Sequence, residues 1–307
     1  MNILITGGNG FIGTNFINLL KQERPKWDIT NIDCRTYASN KLHDNLNIDI
    51  SDTKEVNILT TEKYDYIVNF AAESHVDNSI EDPNIFGTTN IIGTMNMLNL
   101  ALKNNARYLQ VSTDEVYGSL TLDESPFTEE NQICPRSPYS ASKASADHFV
   151  MAYSETYGLD TVITRCSNNY GEWQHQEKLI PKIINNALNN KKIPVYGDGK
   201  NIRDWIHVED HCKGILKVLE LGKTGNTYNI GTDNEMTNND IVKVILEKMN
   251  KPLSLIEYVE DRKGHDFRYA IDSSKIENEL GWKPKIKFED GINETINWFL
   301  KDVTRND

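Results

Sequence analysis

The first thirty-three residues constrain the fold more than any other stretch. Asn2-Ile3-Leu4-Ile5-Thr6 reads as a short apolar strand, Gly7-Gly8-Asn9-Gly10-Phe11-Ile12-Gly13 as a glycine-rich turn, and Phe16-Ile17 through Leu20 as the start of a helix. Strand, turn and helix in that order aim backbone N–H groups and a helix N-terminus at a pyrophosphate, as in the dinucleotide-binding unit of a parallel α/β sheet. Gly7, Gly10 and Gly13 keep the spacing G-x-x-G-x-x-G. The second strand, Asp28-Ile29-Thr30-Asn31-Ile32, ends at Asp33, twenty residues after Gly13. A carboxylate at that distance meets the adenosine ribose hydroxyls and repels a 2′-phosphate, so NAD is expected over NADP. Arg35 leaves room for NADP, and the plainer alternative is a structural glycine turn with an unrelated surface Asp.

The same rhythm continues. Apolar runs at Leu46-Asn47-Ile48, Tyr66 to Phe70, Arg107 to Val111 and Thr161 to Thr164 read as strands, and helical stretches fall at about 52–62, 83–104 and 138–157. The expected fold is α/β, a doubly wound parallel sheet of the Rossmann kind with a smaller C-terminal substrate-binding lobe. After residue 166 the alternation loosens. The expected division is an NAD-binding domain of 1–166 plus about 205–235, and a lobe of about 167–204 plus 236–307. With 307 residues, 38% of them hydrophobic, the chain can bury a core of that size.

Charge narrows the partners. A net charge of −12 argues against a sequence-independent grip on nucleic acid or an anionic membrane, leaving small molecules or protein. Cys34, Cys134, Cys166 and Cys212 are widely spaced, as reduced cytosolic thiols are, and no metal site is expected. His207 and His211, four apart, lack a carboxylate at ligand spacing. No apolar run approaches the roughly 20 residues that span a bilayer. With a strand rather than a signal peptide at the N-terminus, a cytoplasmic location is expected.

Two further stretches carry chemistry. Ser112-Thr113-Asp114-Glu115-Val116-Tyr117-Gly118 follows the fourth long strand, at the sheet edge where ligands of such folds bind. Adjacent carboxylates there can supply an acid and a base to one substrate, provided that strand alternation is broken; otherwise they form a solvated acidic turn. Tyr139 and Lys143, four apart near the start of a helix, share one face. A tyrosine acting as base near neutrality needs its pKa lowered by about three units, or about 4 kcal/mol, and only nearby positive charge can do that. Asp49-Ile50 and Ala71 to His75 fall on the same rim of the sheet.

These motifs resemble the extended short-chain dehydrogenase/reductases and, within them, the dTDP-glucose 4,6-dehydratases. The likeness covers nearly the whole chain: Thr36-Tyr37-Ala38, Ala71-Ala72-Glu73-Ser74-His75-Val76-Asp77, Ser137 to His148, Cys166-Ser167-Asn168-Asn169-Tyr170-Gly171, Glu177 to Pro181, Ile202-Arg203-Asp204-Trp205 and Gly264-His265-Asp266. The Asp-Glu pair sets dehydratases apart from the sugar 4-epimerases of the same fold. The resemblance implies that Tyr139 takes the C4 hydroxyl proton while hydride passes to NAD, with Thr113 and Lys143 assisting. Glu115 then removes the C5 proton, Asp114 protonates the departing C6 hydroxyl, and hydride returns to C6.

The cofactor residues it implies are Gly7, Gly10, Phe11, Ile12, Gly13, Asp33, Thr36, Asp49, Ile50, Ala71, Ala72, Thr89, Tyr139, Lys143, Cys166 and Asn168, with NAD kept through each turnover. The sugar nucleotide is expected on Ser74, Asn169, Glu177, Lys178, Leu179, Arg203, Asn234, Arg262 and His265. A homodimer through the helices near 83–104 and 138–157 is expected. The polar linker Glu172-Trp173-Gln174-His175-Gln176, Asn78 and Arg165 depart from the family pattern, which keeps open dTDP- or UDP-glucose, UDP-N-acetylglucosamine with possible inversion at C5, and an epimerase or decarboxylase. A non-catalytic dinucleotide sensor is the reading furthest from these.

Overall fold

A computed structural model describes residues 1–306. Its centre is a six-stranded sheet ordered Asp28–Ile32, Asn2–Thr6, Tyr66–Asn69, Arg107–Thr113, Thr161–Cys166, Asn226–Ile230. Every neighbouring pair is parallel. From Asn2–Thr6 the chain steps outward to Asp28–Ile32 and then returns to the other side, so a crevice opens at the C-terminal ends of these strands. The helices Phe11–Glu23 and Val208–Leu221 cover one face around Phe16, Leu20, Ile215 and Leu219. Helices Thr53–Ile58, Thr94–Asn104 and Pro138–Tyr157 cover the other around Ile67, Leu98, Tyr108 and Val150. Burial on both faces explains why these strands are apolar runs rather than alternating ones.

A third core, with Ile183, Ile184, Trp205, Ile241, Ile245 and Ile292, lies under a second sheet. There Ile202–His207 is flanked by Glu235–Thr237 and Arg268–Tyr269, and Asn168–Tyr170 also pairs with it. A separate parallel ladder joins Ile193–Tyr196 to Ile256–Val259. No helix among the described residues is long and apolar enough to cross a membrane.

Two elements differ from the sequence expectation. Leu46-Asn47-Ile48 is not a strand: pairing is confined to one bridge between Leu46 and Ile32, made by Leu46 N to Asn31 O and Asp33 N to Leu46 O, and the Asn45 side chain also donates to the carbonyls of Asp33 and Leu46. The stretch 83–104 is not one helix. Pro83 opens a new helix after Asp82, whose carboxylate accepts from Asn84 N, and the backbone widens to π geometry over Gly87–Gly93 before Thr94–Asn104. The π segment turns Asn90 inward, where its amide accepts from Glu73 N and donates to Glu73 O and to Ser142 Oγ.

Candidate active site

Strand alternation ends at Thr113. The next four residues, Asp114–Tyr117, form a 3₁₀ turn begun by Thr113, whose Oγ1 accepts from Glu115 N at 3.3 Å. A 3₁₀ turn separates successive side chains by about 120° rather than 180°, so both carboxylates reach the crevice. Gly118 closes the turn at φ +95°, and a Cβ there would stand 2.6 Å from Cys134 O. Asp114 is fully enclosed, and among the described residues its Oδ2 has no hydrogen-bond partner. Glu115 is partly exposed to the cavities on either side of it.

Tyr139 and Lys143 stand one turn apart at the start of Pro138–Tyr157, which is fixed by local chemistry. Ser137 and Ser140 form a reciprocal cap, Pro138 occupies the first turn, and Gly158 ends the helix at φ +66°. Lys143 Nζ donates to Val111 O at 2.7 Å, tying the helix to the strand that delivers Thr113. Burial, followed by the charge of Glu115, pushes the Tyr139 phenol well up, and the Thr113 hydroxyl facing it acts the other way. Burial lowers Lys143, with Asp147 opposing.

A cavity of about 710 Å³ follows the strand ends from Gly7 to Lys178. Gly7, Gly10, Phe11, Ile12, Gly13, Asp33, Thr36, Asp49, Ile50, Ala71, Ala72, Thr89, Cys166 and Asn168 all line it, together with Thr113, Asp114, Glu115, Tyr139 and Lys143. The residues present fit a dinucleotide. A Cβ on Gly13 would meet Gly7 O at 2.3 Å and one on Gly7 would meet Ala71 N at 2.7 Å, so the turn packs as tightly as only glycines allow. Asp33 accepts from Asn9 N, Arg35 N and Ser39 Oγ, which anchors a carboxylate where a 2′-phosphate would have to sit.

A second cavity of about 460 Å³ joins the first along Ser74, Glu115, Asn168, Glu177 and Lys178. Leu179, Arg203, Arg262 and His265 line this one, while Asn169 lines the first. Arg203 rests on the Tyr269 ring at 4.2 Å, and Arg262 is held by Asp77 through Nε at 2.6 Å and Nη2 at 3.1 Å. His265 Nδ1 meets Asp261 Oδ1 at 2.7 Å, and Lys178 Nζ donates to Ser74 O. Asn234 lines neither cavity. It sits in the turn before Glu235–Thr237, where its N–H donates to Asp204 Oδ1.

Asn238, at the first turn of Asn238–Lys248, lines this cavity together with Asn168. The capping box of Thr237 and Asp240 is legible in the sequence and marks that helix start. Pro194, Tyr196, Asp77, Lys182 and Tyr269 also line this cavity, and none of them is among the site residues expected from sequence. His207 caps Val208–Leu221, and His211 Nδ1 bonds Asn169 Oδ1.

The family model described as GDP-mannose 4,6 dehydratase matches residues 4–295. The chain belongs to this family. It is 45% identical to the dTDP-glucose 4,6-dehydratase of Haemophilus influenzae, with 98% of each chain covered. The dTDP-glucose 4,6-dehydratase of Streptomyces venezuelae, solved with NAD bound, superposes with a TM-score of 0.94 at 42% identity, covering 99% of this chain and 98% of that one. A UDP-glucose 4-epimerase of Thermotoga maritima reaches a TM-score of 0.92 at 27% identity, covering 99% and 100%. Since an epimerase shares the fold nearly as well, the site rather than the scaffold must separate a dehydratase from its neighbours.

In this member of the dehydratase family the paired carboxyls are electrostatically unequal. Burial, then the neighbouring Glu115, pushes Asp114 well above the usual carboxylate range. Burial also raises Glu115, but Arg203, Lys178 and Arg262 pull it back. Asp114 is thus pushed further toward its protonated form than Glu115, whose neighbouring cations favour its charge.

A stability consequence follows. Folded Asp114 holds its proton at pH values where the unfolded chain has released it. Its contribution to stability is complete below pH ~4 and is lost by about 1.4 kcal/mol per pH unit as pH rises toward the folded value. Asp114→Asn removes that loss. Its melting temperature is expected to exceed wild type near neutral pH, with the gap closing toward pH ~4. A gap independent of pH, measured by thermal unfolding, would show Asp114 ionised.

Proposed function

We propose that this protein is an NAD-dependent dTDP-glucose 4,6-dehydratase, acting in the cytoplasm and releasing the 4-keto-6-deoxy sugar nucleotide with C5 configuration retained. The observation that carries this is the Asp114–Glu115 turn, set where the two cavities join and facing Tyr139. An epimerase on the same scaffold needs Tyr139 and Lys143 but has no use for a protonated carboxyl beside an ionised one.

When bound, NAD supplies the hydride acceptor for C4 and the hydride donor for C6. The glycine turn and Asp33 would hold its adenosine half, and Lys143 its nicotinamide ribose. Tyr139 takes the C4 hydroxyl proton, with Thr113 holding that oxygen in line. The resulting ketone acidifies C5–H. Glu115 takes that proton as Asp114 gives its own to the C6 oxygen, and water leaves. Glu115, its carboxyl proton exchanged with solvent, then returns a proton to C5 on the original face. Arg203 and Arg262 offer two forked cations for the diphosphate, one held over an aromatic ring and one by Asp77.

Residues 1–166 with about 205–235 serve the cofactor, and about 167–204 with 236–307 serve the sugar nucleotide. Ile85, Ile92, Leu102, Met151 and Tyr157 leave apolar surface exposed on the helices of 83–104 and 138–157, which supports a homodimer there. Light scattering at the monomer mass would contradict it.

The reading predicts that purified protein converts dTDP-glucose without added NAD, because no cofactor is consumed over the cycle. The test is product formation after gel filtration. Turnover only with stoichiometric NAD, accompanied by reduced cofactor in equal amount, would identify a dehydrogenase instead. Turnover of UDP-N-acetylglucosamine alone would leave the chemistry standing and replace the substrate.

A further inference from the structure

Arg165 is a cation sealed inside the protein: its side chain is 3% exposed and that of its partner Asp147 is 0% exposed. Nε donates to Asp147 Oδ2 at 3.0 Å and Nη1 donates to the Tyr117 hydroxyl at 2.9 Å. That hydroxyl donates onward to Asn229 Oδ1 at 2.8 Å. Arg165 and Asn229 are register partners on adjacent strands of the central sheet, so the network is rooted in the sheet itself.

Each arm of the guanidinium leads to a different half of the chemistry. Asp147 lies on the helix face of Tyr139 and Lys143, one turn beyond the lysine. Tyr117 is the last residue of the turn that begins with Asp114 and Glu115. Buried ion pairs are poor stabilisers compared with apolar residues of equal volume, but a forked cation fixes direction.

We propose that Arg165 is a positioning residue that holds the Asp114–Glu115 turn in place relative to the Tyr139–Lys143 helix, acting through Tyr117 on the elimination step. The proposal rests on the dehydratase reading for its kinetic part. Oxidation at C4 depends on Tyr139 and Lys143, which stand outside the turn, and on Thr113, which is held by the strand Arg107–Thr113 that precedes it. Loss of the Tyr117 link therefore affects the two steps unequally.

Tyr117→Phe is the informative variant, because the ring keeps its stack on Phe127 at 5.1 Å and its packing beside Val116 and Ala144. Backbone amide exchange at Glu115 and Val116 should quicken, with the helix of Tyr139 unchanged. Product formation should fall on the order of 10- to 10²-fold with KM unaltered, as for a small misplacement of a reacting group. C4 oxidation should keep its wild-type rate in single-turnover measurements, so that reduced cofactor accumulates. Arg165→Lys, which retains one charge for Asp147 but not the fork to Tyr117, should give the same pattern. An unchanged partition between the steps, an equal fall in both, or unchanged amide exchange would overturn the proposal. If wild type makes no 4-keto-6-deoxy product, the dehydratase reading fails instead, and amide exchange still decides whether the clamp exists.

Discussion

Tyr139→Phe is expected to lose C4 oxidation itself, by on the order of 10²-fold or more, with no reduced cofactor at any time in the reaction. The phenol lies on the Lys143 face of the helix and meets the Thr113 hydroxyl. Its burial makes the group a poor base unless positive charge is close. Lys143 is the charged neighbour on the helix, and its position on Val111 O fixes where that charge sits. The readout is near-ultraviolet absorbance of the reduced cofactor after mixing with dTDP-glucose. Accumulation at the wild-type rate would remove Tyr139 from the first step.

The acid–base pair should fail later. Glu115→Gln leaves the side chains of Tyr139, Thr113 and Lys143 in place, and Asp114→Asn keeps an Oδ1 acceptor for the Thr113 hydroxyl, so oxidation proceeds and elimination stalls, again by on the order of 10²-fold or more. Reduced cofactor then builds up on the enzyme in both variants. Glu115→Gln should also stop exchange of the C5 hydrogen with solvent, while Asp114→Asn should allow it. The distinction follows from the inequality of the two carboxyls: Arg203, Lys178 and Arg262 favour the charge on Glu115, while Asp114 is enclosed and shares its neighbourhood with that charge. If all three variants lose oxidation equally, the assignment of separate steps is wrong.

The elements that the sequence made legible are those with local causes. Ser137, Pro138 and Gly158 bracket a helix from Pro138 to Tyr157, matching the stretch expected from its pattern. Strand, glycine turn and helix at the N-terminus are likewise set within a few residues, and the cofactor cavity follows from them. The failures have non-local causes. The pairing of Leu46-Asn47-Ile48 stops at one bridge to Ile32, an extent set by the neighbouring strand, which periodicity does not register. The π segment at Gly87–Gly93 places Asn90 on a loop seventeen residues earlier in sequence. The 3₁₀ turn at Asp114 is a break in alternation that the residues permit but do not announce.

The same limit applies in the second cavity. Arg203 and His265 sit in motifs dense enough to place residue by residue, whereas Asn234 stands in a sparse stretch, four residues from Asn238, which lines the cavity. Pro194 and Tyr196 on one strand and Tyr269 on another converge here, so only the folded sheets reveal them as neighbours.

The central claim is that Glu115 and Asp114 carry out an elimination between an oxidation and a reduction that leave the cofactor unchanged. It is tested most directly by incubating the purified protein with dTDP-glucose in D₂O, without added NAD, and reading the product by NMR. The account predicts dTDP-4-keto-6-deoxyglucose with one deuterium at C5, retained configuration there, and the C4 hydrogen of the substrate delivered to C6. Recovery of the C4 epimer, or of product whose C6 hydrogen derives from solvent, would contradict it.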